Sequence, residues 1–287
     1  MIHFSVIIPT YNREKLLSEI LDFVINQTYS KFEIIIIDDG STDNTYENLK
    51  SKIHLHNYIN YYRQENRGVS SARNLGAKKS IGNYLIFLDS DDILIKDALM
   101  NFKNSINNDE DIIHADMAKK IKDSEKIEII KARNPYGNGK GNGIYIPGAF
   151  CIKKIFFEKI GGYDENIKYG ENTELKFRID TENPKRSYTN KPSIIYKDTP
   201  FGESKNLINL INANKYVLQK HKIFFAKHRK VKQLYYQNTA IAQVKSHRYK
   251  DAKKSIVTAW LSNQRNSKTF LRMLIIQIPF LAKKIWK

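Results

Sequence analysis

The 287-residue chain has one cysteine, Cys151, so no internal disulfide can staple it. That residue sits in the apolar string GAFCIKK, the setting of a small buried hydrophobe. No run reaches the roughly 18 apolar residues needed to span a bilayer. The start, MIHFSVIIPTYN, lacks a basic segment followed by a long apolar core, so a cytoplasmic protein is expected. Zinc is not implied, because the seven histidines are scattered and the cysteine stands alone. The Gly-rich GNGKGNG lacks the GK[ST] ending of a phosphate-binding loop and joins no strand to a helix, which argues against ATP hydrolysis.

Acidic residues are scarce at one end only. From Lys205 to Lys287 there are 19 Lys and Arg against one acid, Asp251, whereas positions 1–204 hold 29 of each sign. The formal charge of +18 therefore belongs to the tail. Nucleic acid is one partner such charge can serve, but no nucleic-acid module accompanies it, and none is expected.

In the first half, apolar runs alternate with helical-period segments, the pattern of β-α units feeding a mostly parallel sheet with helices on both faces. HFSVIIP, FEIIIIDD, INYYRQ and NYLIFLDSDD read as strands; REKLLSEILDFVINQ and GVSSARNLGAKKS read as helices, the second with small residues on one face. Ser41, Thr42 and Asp43 are candidate caps for a helix running to about Ser51. Asn134 to Gly143, with four Gly and one Pro, reads equally as a lid or as an exposed connection. Beyond Gly202 the texture turns polar, basic and helical. LYYQNTAIAQVKSHRYKDAKKSIVTAWLSN predicts two antiparallel helices meeting near His247 to Asp251, like a single tetratricopeptide hairpin.

Ligands of open α/β sheets bind beyond the carboxyl ends of the strands, where Pro9 to Asn12, Asp38 to Ser41, Asn66 to Gly68 and Asp89 to Asp92 collect. The ordered strings VIIPTYN, IIDDGSTDNT, NRGVSSARNLG and FLDSDD resemble glycosyltransferase family 2, over roughly residues 2 to 200. The resemblance implies a GT-A catalytic domain over 1–202, with nucleotide-sugar binding in 1–100 and the acceptor side in 101–202. A small basic helical region at 203–287 follows.

The diphosphate of a nucleotide sugar needs its charge neutralised, a task for Mg²⁺ or Mn²⁺ held by carboxylates. Side-chain alternation along a strand would point Asp89 and Asp91 the same way, matching the family's D-x-D spacing. The resemblance implies Asp91 as metal ligand, Asp89 near the ribose and Asp92 in support; the alternative is an acidic turn capping a helix from Ile93 to Phe102. It further implies that Asp39 accepts from the uracil imide, that Pro9 and Tyr11 line the ring, and that Asn66 and Arg73 join the nucleotide site. Asp38 is expected to hold neighbouring loops.

Inverting transfer needs a base, in the family an Asp of a Glu-Asp pair after a GG-Y/F-D-E segment. Here IGGYDENIKYGENTELKFRI matches, but Asn172 stands at the Asp position. Three readings follow: Glu171 is the base, Glu174 one turn on is the base, or the protein binds donor without turning it over. The tail, with apolar TFLRMLIIQIPFLAKKIWK at its end, fits an anionic membrane surface or packs on the catalytic domain. The expected partners are a UDP-sugar donor, a glycan or lipid-linked acceptor and that membrane, with the protein peripheral at the inner face of the cell membrane.

Overall fold

The computed structural model describes residues 2–121, 126–133, 143–197 and 206–286, so the Gly-rich stretch up to residue 142 lies outside the described residues. Its elements run β1 (Phe4–Thr10), α1 (Leu16–Ile25), β2 (Phe32–Asp38), α2 (Thr45–Leu55), β3 (Ile59–Arg63), α3 (Val69–Lys79) and β4 (Tyr84–Phe87). Next come β5 (Ile93–Leu94), α4 (Ala98–Asn104), β6 (Ile112–Lys120), β7 (Ile127–Ile130), β8 (Phe150–Lys153), α5 (Lys154–Lys159), α6 (Glu171–Thr181) and β9 (Arg186–Lys197). Helices α7 (Leu207–Lys220), α8 (Lys222–Lys227), α9 (Arg229–Lys245), α10 (Tyr249–Ser262), α11 (Ser267–Gln277) and α12 (Pro279–Ile285) complete the chain.

One mixed sheet has the order β3-β2-β1-β4-β8-β6-β9-β5, with β7 on β6. Strands β3, β2, β1 and β4 are mutually parallel, while β8 is antiparallel to both β4 and β6. The parallel half brings Thr10, Asp38, Arg63 and Phe87 to one edge. Strand β2 is buried along its whole length, which is why its sequence is a continuous isoleucine run rather than an alternation. Ile34 and Ile36 pack with Leu17, Leu21, Leu49 and Phe102 on one face; Ile35 and Ile37 pack with Ala72, Phe157 and Leu175 on the other. Helices therefore cover both faces, as the sequence pattern implies.

Pro9 sits inside β1 without breaking the sheet, because β1 pairs with β4 only from Phe4 to Ile7 and leaves that side of Pro9 with no ladder bond to make. Helix α3 lies close on the sheet through Ser70, Ser71, Ala72, Gly76 and Ala77; a β-carbon on Gly76 would stand 2.3 Å from Ile7. The capping expected of Ser41 and Thr42 is not what they do. Ser41 Oγ accepts from the Asn12 N–H and the Thr42 N–H donates to Asn12 Oδ1, so both tie two loops together. Helix α2 starts later, at Thr45, whose N–H donates to Asp43 Oδ1, and ends at Leu55.

The chain forms two compact units, Met1–Glu165 with Glu171–Thr199, and Asn166–Gly170 with Pro200–Lys287. In the second, α9 and α10 form the expected hairpin, turning at His247 (φ 60°). Ala240, Val244, Ala252, Ile256, Ala259, Ile276 and Ala282 make its core. Pro279 opens α12, where its missing N–H costs nothing. Among the described residues no helix is long and apolar enough to cross a membrane.

Candidate active site

The site grows from the loops at the carboxyl edge of the parallel strands. Asp38 at the end of β2 is buried; its carboxylate accepts from the Ser41 N–H (2.7 Å) and from the Tyr61 hydroxyl, which is the loop-holding role expected of it. Asp39 is equally enclosed. Its Oδ1 accepts from Gln64 Nε2 and the Arg67 N–H, and its Oδ2 from the Gly68 N–H (2.8 Å). A negative charge there meets the amide-rich start of α3, which favours it. The carboxylate is thus already engaged in shaping the β3–α3 loop, and an imide would have to share it. Gly40 (φ 82°) permits this approach, since a β-carbon there would stand 3.0 Å from the Asn66 amide nitrogen.

Of the other nucleotide candidates, Tyr11 and Asn66 are exposed, and Pro9 is buried within β1. Tyr11 therefore presents its ring at this edge, while Pro9 lies within the strand that leads to it. Arg73 is only 2% exposed. Helix α3 points it inward, where Nη2 donates to Asp89 Oδ1 (2.6 Å) and Nη1 to Glu171 Oε1 (3.0 Å), with its guanidinium carbon 5.0 Å from the Tyr163 ring centre. Burial works against its charge, but Asp89, Tyr163 and Glu171 outweigh that and raise its pKa. Its partners in the structure are two carboxylates, not an open nucleotide surface.

The geometry of the acidic string differs from the expectation. β4 ends at Phe87, and Asp89 to Asp92 form a turn closed by the Asp92 N–H donating to the Asp89 carbonyl (3.1 Å). Strand alternation therefore does not set the direction of Asp89 and Asp91; the turn does. Nor does a helix follow directly, because Ile93–Leu94 pair as β5 with β9. Among the described residues, no three His, Cys, Asp or Glu side chains group as a metal site. The donor set still suits a hard cation: Asp89 and Asp91 share one turn at the sheet edge. Magnesium is commonly held by one or two carboxylates, with substrate phosphates and water completing its shell.

Glu171 begins α6, just after Gly170 (φ 72°). Its Oε1 accepts from Arg73 and from Asn172 Nδ2 (2.9 Å). Asn172 Oδ1 in turn accepts from the Tyr163 hydroxyl (3.0 Å). Burial pushes the Tyr163 phenol up, so it remains a donor and fixes which way the amide faces. Asn172 thus links Tyr163 to Glu171, a job an ionised Asp there could not do. Glu174 is turned away. It is fully buried, bound by Arg178 Nε and Nη2, and Arg178 also donates to the carbonyls of Ile160 and Gly162. That pair holds the Gly161–Gly162 turn and leaves Glu174 with no path to a substrate proton.

Sequence reasoning missed Asn74 and Tyr163. Asn74 donates to the Tyr163 carbonyl and to Glu165, and accepts from the Tyr163 N–H, so α3 is clamped to the segment that leads into Glu171. Both lie inside strings singled out for other members, NRGVSSARNLG and IGGYDE; their mutual contact spans 89 positions and leaves no local signal.

Comparison with known proteins bears on the family and the fold. An uncharacterized glycosyltransferase of Rickettsia felis is 34% identical over 224 residues, 75% of this chain and 37% of the relative. Glycosyltransferase GlyA of Streptococcus pneumoniae is 45% identical over 93 residues, 32% of this chain and 13% of GlyA. The chain thus spans well under half the length of these curated relatives. Among solved structures, S. aureus TarS 1–349 in complex with UDP-GlcNAc superposes with a TM-score of 0.64 at 17% identity, covering 97% of this chain and 91% of that one. That likeness supports the GT-A architecture. The Glycosyl transferase family 2 profile matches residues 5–160, more than half the chain and all four strings at the sheet edge, and the chain belongs to that family.

Proposed function

We propose that the protein transfers a hexosyl or N-acetylhexosaminyl group, with inversion, from a UDP-sugar to a hydroxyl of a glycan or lipid-linked acceptor in surface polysaccharide assembly. The observation that carries this reading is the Arg73 fork. One buried guanidinium holds Asp89, on the donor side, and Glu171, at the start of α6, so the two carboxylates lie within about 8 Å of each other. Proton removal and departure of the diphosphate then belong to one rigid frame.

Glu171 is the base. Its Oε1 is occupied by two donors, so Oε2 takes the acceptor proton as the hydroxyl oxygen attacks the anomeric carbon and the bond to the β-phosphate breaks, releasing UDP. Asn172 and Tyr163 position that carboxylate. Tyr11 offers its exposed ring to the base, with Asp39 and Asn66 beside it. Asp91, with Asp89, would hold Mg²⁺ or Mn²⁺, which supplies charge neutralisation at the diphosphate. A protein of similar fold, S. aureus TarS 1–349, is bound to UDP-GlcNAc, which supports the choice of donor class. In the helical unit a cavity of about 320 Å³, lined by Asn166, Lys168, Asn209, Asn212 and Tyr216, offers the amides and ring that hydroxyl-rich glycans use.

The test is metal-dependent UDP release from a panel of UDP-sugars with lipid-extract acceptors. One donor is expected to turn over. Glu171→Gln should lower its rate by about 10² to 10⁴ while UDP still binds, and Asp91→Ala should remove both release and metal-dependent UDP binding. UDP binding without turnover of any donor across a broad acceptor panel would overturn the enzyme in favour of a nucleotide-sugar binding protein.

A further inference from the structure

The helical unit carries apolar residues on the side where a surface helix normally carries charge. On α11, Phe270, Leu271 and Leu274 are exposed, Leu271 by 58%, and Ile278 just beyond the helix is exposed too. At 3.6 residues per turn these four positions fall within an arc of about 100°. The inward side is separately filled: Thr269 and Ile276 are fully buried, the latter in the core with Ala259 and Ala282. The outward stripe is therefore surplus to folding.

It continues past the bend at Pro279. Phe280 is 81% exposed, Ala282 is buried on the opposite side of α12, and Lys283 and Lys284 follow about one turn after Phe280, both exposed. Phe270 also lies 5.9 Å from the Trp260 ring of α10, so the stripe joins an aromatic edge. A contiguous apolar face of this kind marks an interaction site.

Charge selects its occupant. From Lys205 to Lys287 there are 19 cations and one acid, so a second copy of the same face would bring like charges together. An anionic lipid surface takes up both features at once: acyl chains receive the apolar stripe and headgroups meet the lysines. We infer that α11 and α12 dock the chain in the plane of an anionic membrane, with Phe270, Leu271, Leu274, Ile278 and Phe280 in the acyl boundary. Lys283 and Lys284 lie at the headgroups. The helices lie in the interface rather than cross it. This docking rests on the helical unit and does not depend on the transfer reaction being correctly assigned.

Flotation of the full chain with phosphatidylglycerol or phosphatidylcholine vesicles tests it. Binding is expected to phosphatidylglycerol and to be at least about tenfold weaker to phosphatidylcholine. The pair Leu271→Glu and Leu274→Glu should weaken phosphatidylglycerol binding at least about tenfold, and Lys283→Ala with Lys284→Ala should narrow the preference for the anionic lipid. Both pairs replace exposed side chains, so circular dichroism and UDP binding should match the parent. Equal vesicle binding by parent and the glutamate variant would overturn the stripe as the docking element. Absence of vesicle binding, with self-association that the glutamates abolish, would assign the face to a second copy instead.

Discussion

Inside the α/β unit, Arg73, Glu174, Asp38 and His114 are buried, each held by named partners. The buried polar side chains described in the helical unit are Gln233, Gln237, Thr239, Gln243 and Thr269, none ionisable. The α/β unit also turns its apolar strands inward on both faces, while α11 and α12 leave an apolar stripe outside. Buried charge is costly unless paired and hydrogen-bonded, so it persists where geometry must be exact to carry chemistry. Neutral amides cost less and suffice to fix how helices pack. The helical unit, by contrast, concentrates its cations on the surface.

The largest effect expected of breaking this contrast is at Arg73. Arg73→Met leaves Asp89 and Glu171 without their shared partner and should cost about 3–5 kcal/mol in denaturant unfolding, since removing one side of a buried pair strands the other. Arg73→Lys keeps the charge but not the fork; it should recover part of the stability and little of the UDP release. Equal stability of parent and Arg73→Met would mean that the pair is not what holds α6 to the β4 turn.

A smaller effect is expected at His114. Its ring lies between Tyr145 and Tyr188, Nδ1 bonds the Ile144 carbonyl, and Nε2 faces Arg186 at 3.3 Å. Burial lowers its pKa from 6.5 to about 3. The unfolded chain therefore takes up a proton below about pH 6.5 that the folded chain refuses until about pH 3, so this contribution is present at neutral pH and lost as pH falls. Between pH 6.5 and 5, above most carboxylates, it should amount to on the order of 2 kcal/mol. Unfolding free energy of parent and His114→Gln against pH checks this, the variant giving the flatter curve. Gly143 (φ 99°) belongs to the same packing, because a β-carbon there would stand 2.4 Å from the ring.

What the sequence disclosed follows from how local each signal is. The isoleucine run of β2 and the small face of α3 report their burial through neighbouring residues, so strands, helices and the loops between them were legible. So were Asp38 as a loop clamp and the hairpin of α9 and α10. The turn at Asp89–Asp92 was not, because a backbone hydrogen bond, not the strand period, ends β4 at Phe87. The Arg73–Glu171 bond crosses 98 positions, and the inward turn of Glu174 depends on Arg178 reaching the carbonyls of Ile160 and Gly162; neither leaves a periodic trace. The direction of the α11 stripe was hidden because both of its sides are apolar.

A local effect at Gln233 sharpens the helical side of the contrast. Gln233 on α9 donates to the carbonyls of Ala259 and Asn263 and accepts from Asn263 Nδ2 and Asn266 Nδ2, so one neutral amide joins α9 to the end of α10 and the start of α11. Gln233→Met keeps the volume and removes all four bonds, leaving those groups short of partners at a cost of about 1–3 kcal/mol. Hydrogen exchange reads where the cost falls. Faster exchange confined to α9, α10 and α11 would mean that the amide network stabilises its own unit and that the buried charges near the active site are insulated from it. Faster exchange in β1, β2 and β4 as well would mean that the two units open together, and that the neutral interior of one contributes to the stability of the charged interior of the other.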